Sequence, residues 1–138
     1  MNKIEATKNE IRNLRYYESE LHRLKDKLMQ IEYAEENVKG VSFEKQAGTT
    51  NPSVISQNRL SLIDKKIEVE LQVNEILCLV NRILRWLNAM KMDDRMIVMD
   101  VLVDRKPYAQ VCEERGISST GTLFRMVNSI IEEATKKG

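Results

Sequence analysis

Residues 104–134 read DRKPYAQVCEERGISSTGTLFRMVNSIIEEA, and the reading of this stretch decides the C-terminal third of the chain. A short helix is predicted from Pro107 to Arg115, with Tyr108, Val111 and Cys112 on one face at helical spacing. Gly116 supplies the positive φ that ends a helix in a tight turn. Cys112 is small, as a residue must be where two helices cross closely, and Ile117 plugs the space between them. Ser118 or Ser119 caps a final helix, whose inward face is Leu123, Met126, Val127, Ile130, Ile131 and Ala134. Lys136 and Lys137 lie in its last turn, where cations suit the helix dipole. A short helix, a glycine turn and a Ser-capped helix make a helix-turn-helix unit.

Immediately upstream, Asp93 is the expected N-cap of a helix from Asp94 to Asp104. Met96, Ile97, Met99, Val101, Leu102 and Val103 form its dense apolar block. The run Arg105-Lys106-Pro107 ends it. Residues 91–138 therefore read as a helical headpiece.

The remainder is built on a different pattern. From Ile4 to Val38 there is no proline or glycine. Apolar residues recur at Leu14, Tyr17, Leu21, Leu24, Leu28, Ile31 and Val38 in alternating steps of three and four, with Glu35 as the one polar break. That is a coiled-coil seam of about three heptads. A linker is predicted over about 39–51, marked by Gly40 and Gly48, with Val41 and Phe43 as residues that could fold back. Thr49, Thr50, Asn51 and Pro52 then read as a helix start, with Asn51 as N-cap and Pro52 as first helical residue. The next helix is predicted from Pro52 to Met90. Its central seam is Leu62, Val69, Val73, Ile76, Val80, Ile83, Leu87 and Met90. A second stripe is carried by Leu60, Ile63, Ile67, Leu77 and Leu84. Two stripes call for cover on two sides, one from the first helix and one from the headpiece or a second copy of the chain. The expected fold is all-α: a long antiparallel coiled-coil-like hairpin over 1–90, followed by the helix-turn-helix headpiece over 91–138.

Composition agrees with this. The 138 residues contain two prolines and five glycines, and aromatics make up 5%. A charged share of 31% fits solvated helix faces, and a hydrophobic share of 42% argues against a disordered chain. The net charge is +1, so no bulk field draws the protein to polyanions, and any such binding must use a local patch. No apolar run approaches a membrane span, and the first ten residues lack the hydrophobic core of a signal peptide. Cys78 and Cys112 lie in apolar patterns and read as buried thiols in a reducing compartment. The cytoplasm is the expected location.

The 104–134 segment resembles region 4 of bacterial sigma factors, in which a Tyr-x-x-Ile-Ala-x-x-x-Gly-Ile-Ser pattern leads into the recognition helix. Tyr108, Val111, Cys112, Gly116, Ile117 and Ser118 stand at those places. The whole arrangement, a long helical N-terminal part and a C-terminal helix-turn-helix, is similar to small phage-encoded regulators of the ArpU/RinA type. Two departures are visible. The run Ser118-Ser119-Thr120-Gly121-Thr122 is one residue longer than the sigma pattern, and Arg115 stands where an apolar residue is usual. From Lys91 onward there are eight basic and eight acidic residues, so the headpiece is neutral.

The resemblance implies a DNA-binding transcriptional regulator of phage or prophage origin. Its partners would be double-stranded DNA and RNA polymerase; the second apolar stripe of the Pro52–Met90 helix separately calls for a second copy, as a homodimer through the long helices. The residues expected at DNA are Ser118, Ser119, Thr120 and Thr122 in the first turn, with Arg125 and Asn128 on the outward face of the last helix. Short polar side chains and helix N-terminal amides can approach phosphates and base edges. Arg125 is the only cation between Ser118 and Glu133. Arg105 and Lys106 are expected to hold the phosphate backbone. The alternatives are a small phage DNA-packaging (terminase) subunit and a helical adaptor that binds protein. The sequence carries no phosphate-binding glycine loop or nucleophile elbow. His22 has no Cys, Asp or Glu set at ligand spacing, so neither enzyme activity, cofactor nor metal is expected. Tyr16, Tyr17, Trp86 and the seven methionines read as packing residues.

Overall fold

In a computed structural model of the chain, the backbone is described for residues 2–44 and 52–137, and side chains for 2–37 and 59–137. Among the described residues there are six α-helices and no strand: α1 (Lys3–Arg12), α2 (Leu14–Glu44), α3 (Pro52–Asn88), α4 (Met92–Val98), α5 (Tyr108–Arg115) and α6 (Thr120–Lys137). A π-helical turn, Met99–Val103, follows α4 directly. No helix among them is long and apolar enough to cross a membrane.

Several boundaries differ from the sequence expectation. The helix expected to run unbroken from Ile4 to Val38 is interrupted at Asn13. That residue adopts φ −91°, ψ 5° and donates its N–H to Glu10 three residues back. Asn is a poor helix-interior residue, and the bridge region is where it turns a chain. At the other end α2 continues through Gly40 to Glu44. One glycine inside a helix costs about 1 kcal/mol, which a long helix tolerates. The linker's remaining residues, including Gly48 and the Thr49, Thr50 and Asn51 cap, lie outside the described residues, as do the side chains of Val38, Val41 and Phe43. Pro52 does open α3, which ends at Asn88 rather than Met90. Arg95 holds that end, donating to the carbonyls of Leu87 (2.9 Å) and Met90 (3.3 Å).

The helix expected over Asp94–Asp104 begins at Met92. Lys91 takes the N-cap position without a side-chain bond, so Asp93 and Asp94 sit in the first turn, where carboxylates favour the dipole. Its second half widens into the π turn, in which Asp104 donates to Met99 five residues back (2.8 Å). Pro107 is the N-cap of α5 and not its first residue.

Contacts divide the chain into two units, one formed by Met1–Glu18 with Cys78–Gly138, the other by Ser19–Leu77. The sequence pattern suggested a boundary at 90/91; the packing divides the chain elsewhere, because α1 lies against α6 and the π turn.

The Ser19–Leu77 unit has a thin core of Leu24, Ile31, Val69 and Val73, with Leu21, Leu28, Leu62, Ile76 and Leu77 partly buried around it. Glu35, the polar break in the seam, pairs with Lys66 (3.6 Å). Of the second stripe, Leu60, Ile63, Ile67 and Leu84 are exposed and only Leu77 joins the core; Leu71, not counted with the stripe, is exposed beside it.

The other unit draws its core from many elements. Ile11, Leu14, Val80, Ile83 and Leu87 are buried, as are Ile97, Val98, Val101, Leu102 and Val103. From the C-terminal helices Val111, Cys112, Leu123, Val127, Ile131 and Ala134 join them. Cys112 is buried as expected, whereas Cys78 is exposed. Met96, counted with the apolar block, is exposed too, as are Met29, Met92 and Tyr16. Trp86 is half-buried beneath Arg82, 5.7 Å from its ring centre.

Candidate nucleic-acid interface

The end of α5 and the start of α6 follow local chemistry closely. Gly116 sits at φ 67°, ψ 34°, and Ile117 donates to the Cys112 carbonyl (2.9 Å). A side chain at Gly116 would meet nothing within 4 Å, so the left-handed backbone, not crowding, calls for glycine. Of the two candidate caps, Ser119 is the one used: its Oγ accepts from the Thr122 N–H (3.1 Å) and lies 2.9 Å from the Thr122 hydroxyl. One of the helix's orphan amides is thereby satisfied. The first turn of α6 holds no acidic residue.

The residues expected at DNA fall into two groups. Ser118, Ser119, Thr120 and Arg125 are exposed, and Thr122 is half-buried. Arg125 lies back on its own helix, its Nε donating to the Gly121 carbonyl (3.3 Å). It has no carboxylate partner among the described residues. Leu123 and Val127 are fully buried, so helical spacing sends Arg125 outward.

Asn128 belongs to the second group. It is half-buried, and its Oδ1 accepts from Lys8 Nζ (3.0 Å). Lys8 is only 1% exposed. Its ammonium also faces Glu5 (3.4 Å) and lies 4.4 Å from the centre of the Phe124 ring. A buried cation is costly without partners, and these three satisfy it. The flank of α6 that carries Phe124 and Asn128 is therefore held by α1.

Lys106 is likewise engaged, 3.5 Å from Asp100 and 3.6 Å from Glu114. Asp100 also accepts from Arg115, at 2.8 Å and 3.2 Å. The Arg115 hydrogen bonds, with the nearby charges of Lys106 and Arg115, hold the Asp100 carboxyl below its usual range against the opposing effect of burial. This cluster explains why a basic residue stands at position 115: it ties α5 to the π turn. Arg105 is exposed, adopts a positive φ of 53°, and donates to the main-chain carbonyl of Arg12 (3.3 Å).

Lys8, Arg12, Asp100 and Arg115 carry this geometry without having been singled out as site residues. The polar position inside an apolar face was the only local signal for any of them. Among the described residues no group of three or more His, Cys, Asp or Glu side chains is arranged to hold a metal ion. Compared with protein-family models, with curated proteins and with solved structures, the chain matches none of them.

Proposed function

We propose that this chain is a sequence-specific double-stranded DNA-binding regulator of transcription, of the phage or prophage type that residues 104–134 resemble. In this reading α5 and α6 are the helix-turn-helix and α6 is the recognition helix. The observation that carries it is the outward edge of α6. The turn leading into it presents Ser118 to solvent, and its first two turns present Thr120 and Arg125, free of any acidic residue in the first turn, on a helix whose opposite face is locked into the core. That is the part of a recognition helix that reaches base edges, and arginine bonds guanine with two donors at once. Asn128, bonded to Lys8, is left out of the contact set.

The long helices, as an antiparallel coiled-coil-like hairpin, would join two copies. Leu60, Ile63, Ile67 and Leu71 follow one another at steps of three, four and four, and all are exposed. Asn74 comes next in the same spacing, the kind of polar residue that sets register in a helical pair. RNA polymerase is a further proposed partner, on the strength of the sigma resemblance. A protein-binding adaptor is the reading favoured by the charge-neutral headpiece.

The test is Arg125→Ala in the full chain, measured against genomic fragments. It should cost about 1–3 kcal/mol on the cognate site and relax sequence preference. Unchanged DNA affinity in the variant, where the native chain binds tightly, rules out the base contact. No salt-dependent binding by the native chain to any fragment favours the adaptor.

A further inference from the structure

Between the end of α1 and the bend before α5 there is a cleft of about 700 Å³. Three cations line it, Arg12, Arg105 and Lys106, together with Asn9, Asn13 and Tyr108, and no carboxylate does. Lys106 is neutralised from behind by Asp100 and Glu114. The two arginines are not. Arg12 donates to Asn9 Oδ1 (2.6 Å) and Arg105 to the Arg12 carbonyl (3.3 Å), both neutral acceptors. Neither has a carboxylate partner among the described residues. Two guanidinium groups gathered in one cleft without a counter-charge repel, and an anion between them removes that repulsion. Arg105 reaches its place only through a left-handed backbone that non-glycine residues rarely adopt. The next residue's N–H is tied to the Asp100 carbonyl (3.0 Å), and the Arg105 side chain reaches the last residue of α1.

We propose that this cleft binds phosphate groups, with Arg12 and Arg105 as the anion-holding pair and Asn13 and Tyr108 as neutral donors at its rim. The planar fork of arginine suits phosphate oxygens. The proposal deepens the DNA reading, since a duplex backbone is one source of such phosphates and a free pyrophosphate-bearing molecule is the other. It makes α1, which lies far from the helix-turn-helix in sequence, part of the binding surface.

The experiment uses the full chain and two variants, Arg12→Gln and Arg105→Gly. The glycine accepts the left-handed backbone, so that variant keeps its fold even if the other does not. Inorganic pyrophosphate is titrated while backbone amide shifts are followed, and a labelled duplex is titrated at several salt concentrations. Pyrophosphate should move the amides of Lys106 and Tyr108, and each variant should weaken it about tenfold. For the duplex, each variant should lower affinity for all sequences alike and reduce the salt slope by about 1, unlike Arg125→Ala. Pyrophosphate binding without duplex binding upholds the cleft, assigns it a small phosphate ligand and removes the DNA reading. A duplex effect without pyrophosphate binding upholds it with the DNA backbone as the source. Unmoved cleft amides together with unchanged duplex affinity in Arg105→Gly overturn it.

Discussion

The two units of this chain bury their apolar residues in different ways. In Ser19–Leu77 two helices share one seam, Leu24, Ile31, Val69 and Val73 lie in it, and a second row of Leu and Ile stays in water. In the unit formed by the chain's two ends, α1, α3, α4, α5 and α6 all contribute fully or nearly fully buried residues, and ion pairs lock the corners. A pair of helices can cover only one stripe of each, whereas a cluster of short helices covers several sides at once. The second unit can therefore hold side chains in defined positions, and that is where both candidate binding surfaces lie.

The largest effect that would test this comparison is in the dense core. Leu102 is 0% exposed, and Leu102→Ala should destabilise by about 2–5 kcal/mol. A loss below 1 kcal/mol in denaturant titration would mean that this core is no better packed than the two-helix seam.

Next comes the Asp100 cluster. Asp100→Asn should cost about 1–3 kcal/mol at neutral pH, because a charge-assisted bond to Arg115 is lost. The carboxyl is held below its usual value in the folded chain. Its contribution is thus complete above the unfolded value of about 3.9 and disappears as pH falls through the lower folded value. Thermal melts from neutral to acidic pH should fall more steeply in the native chain than in Asp100→Asn. Parallel curves would show that the cluster does not drive the acid limb.

Ser119→Ala should cost about 1 kcal/mol through the lost cap. Amide exchange should quicken in the first turn of α6 and not in α3. The smallest effect on stability is expected at Ile67, 52% exposed on the uncovered stripe. Ile67→Lys should stay within about 0.5 kcal/mol for the separate chain, yet sedimentation should show the proposed dimer lost. A native chain that sediments as a monomer at micromolar concentration removes the dimer.

Features set by neighbouring residues were legible in the sequence. Gly116 as a left-handed stop, the serine cap, Pro52 at the start of α3 and the buried positions of α6 each depend on backbone preferences and periodicity within a turn or two. The helical character of the described residues follows from the same local terms. Misreadings arose where a local rule was weak or overridden. Gly40 did not stop α2, Asn13 did break the first helix, and Cys78 shares its helix with a seam but faces away from it.

What only the tertiary structure decided is which polar side chains meet. Lys8 and Asn128 are 120 residues apart and bond because α1 packs on α6. That pairing takes Asn128 off the outward face and leaves Arg125 on it. Asp100 and Arg115 are separated by 15 residues and a turn, and their pairing consumes Lys106 as well. Arg12 and Arg105 come together in the cleft although one closes the first helix and the other breaks the chain before α5. Periodicity specifies which residues leave water, but a hydrogen bond or an ion pair needs its partner's position, and that is set only when distant helices pack.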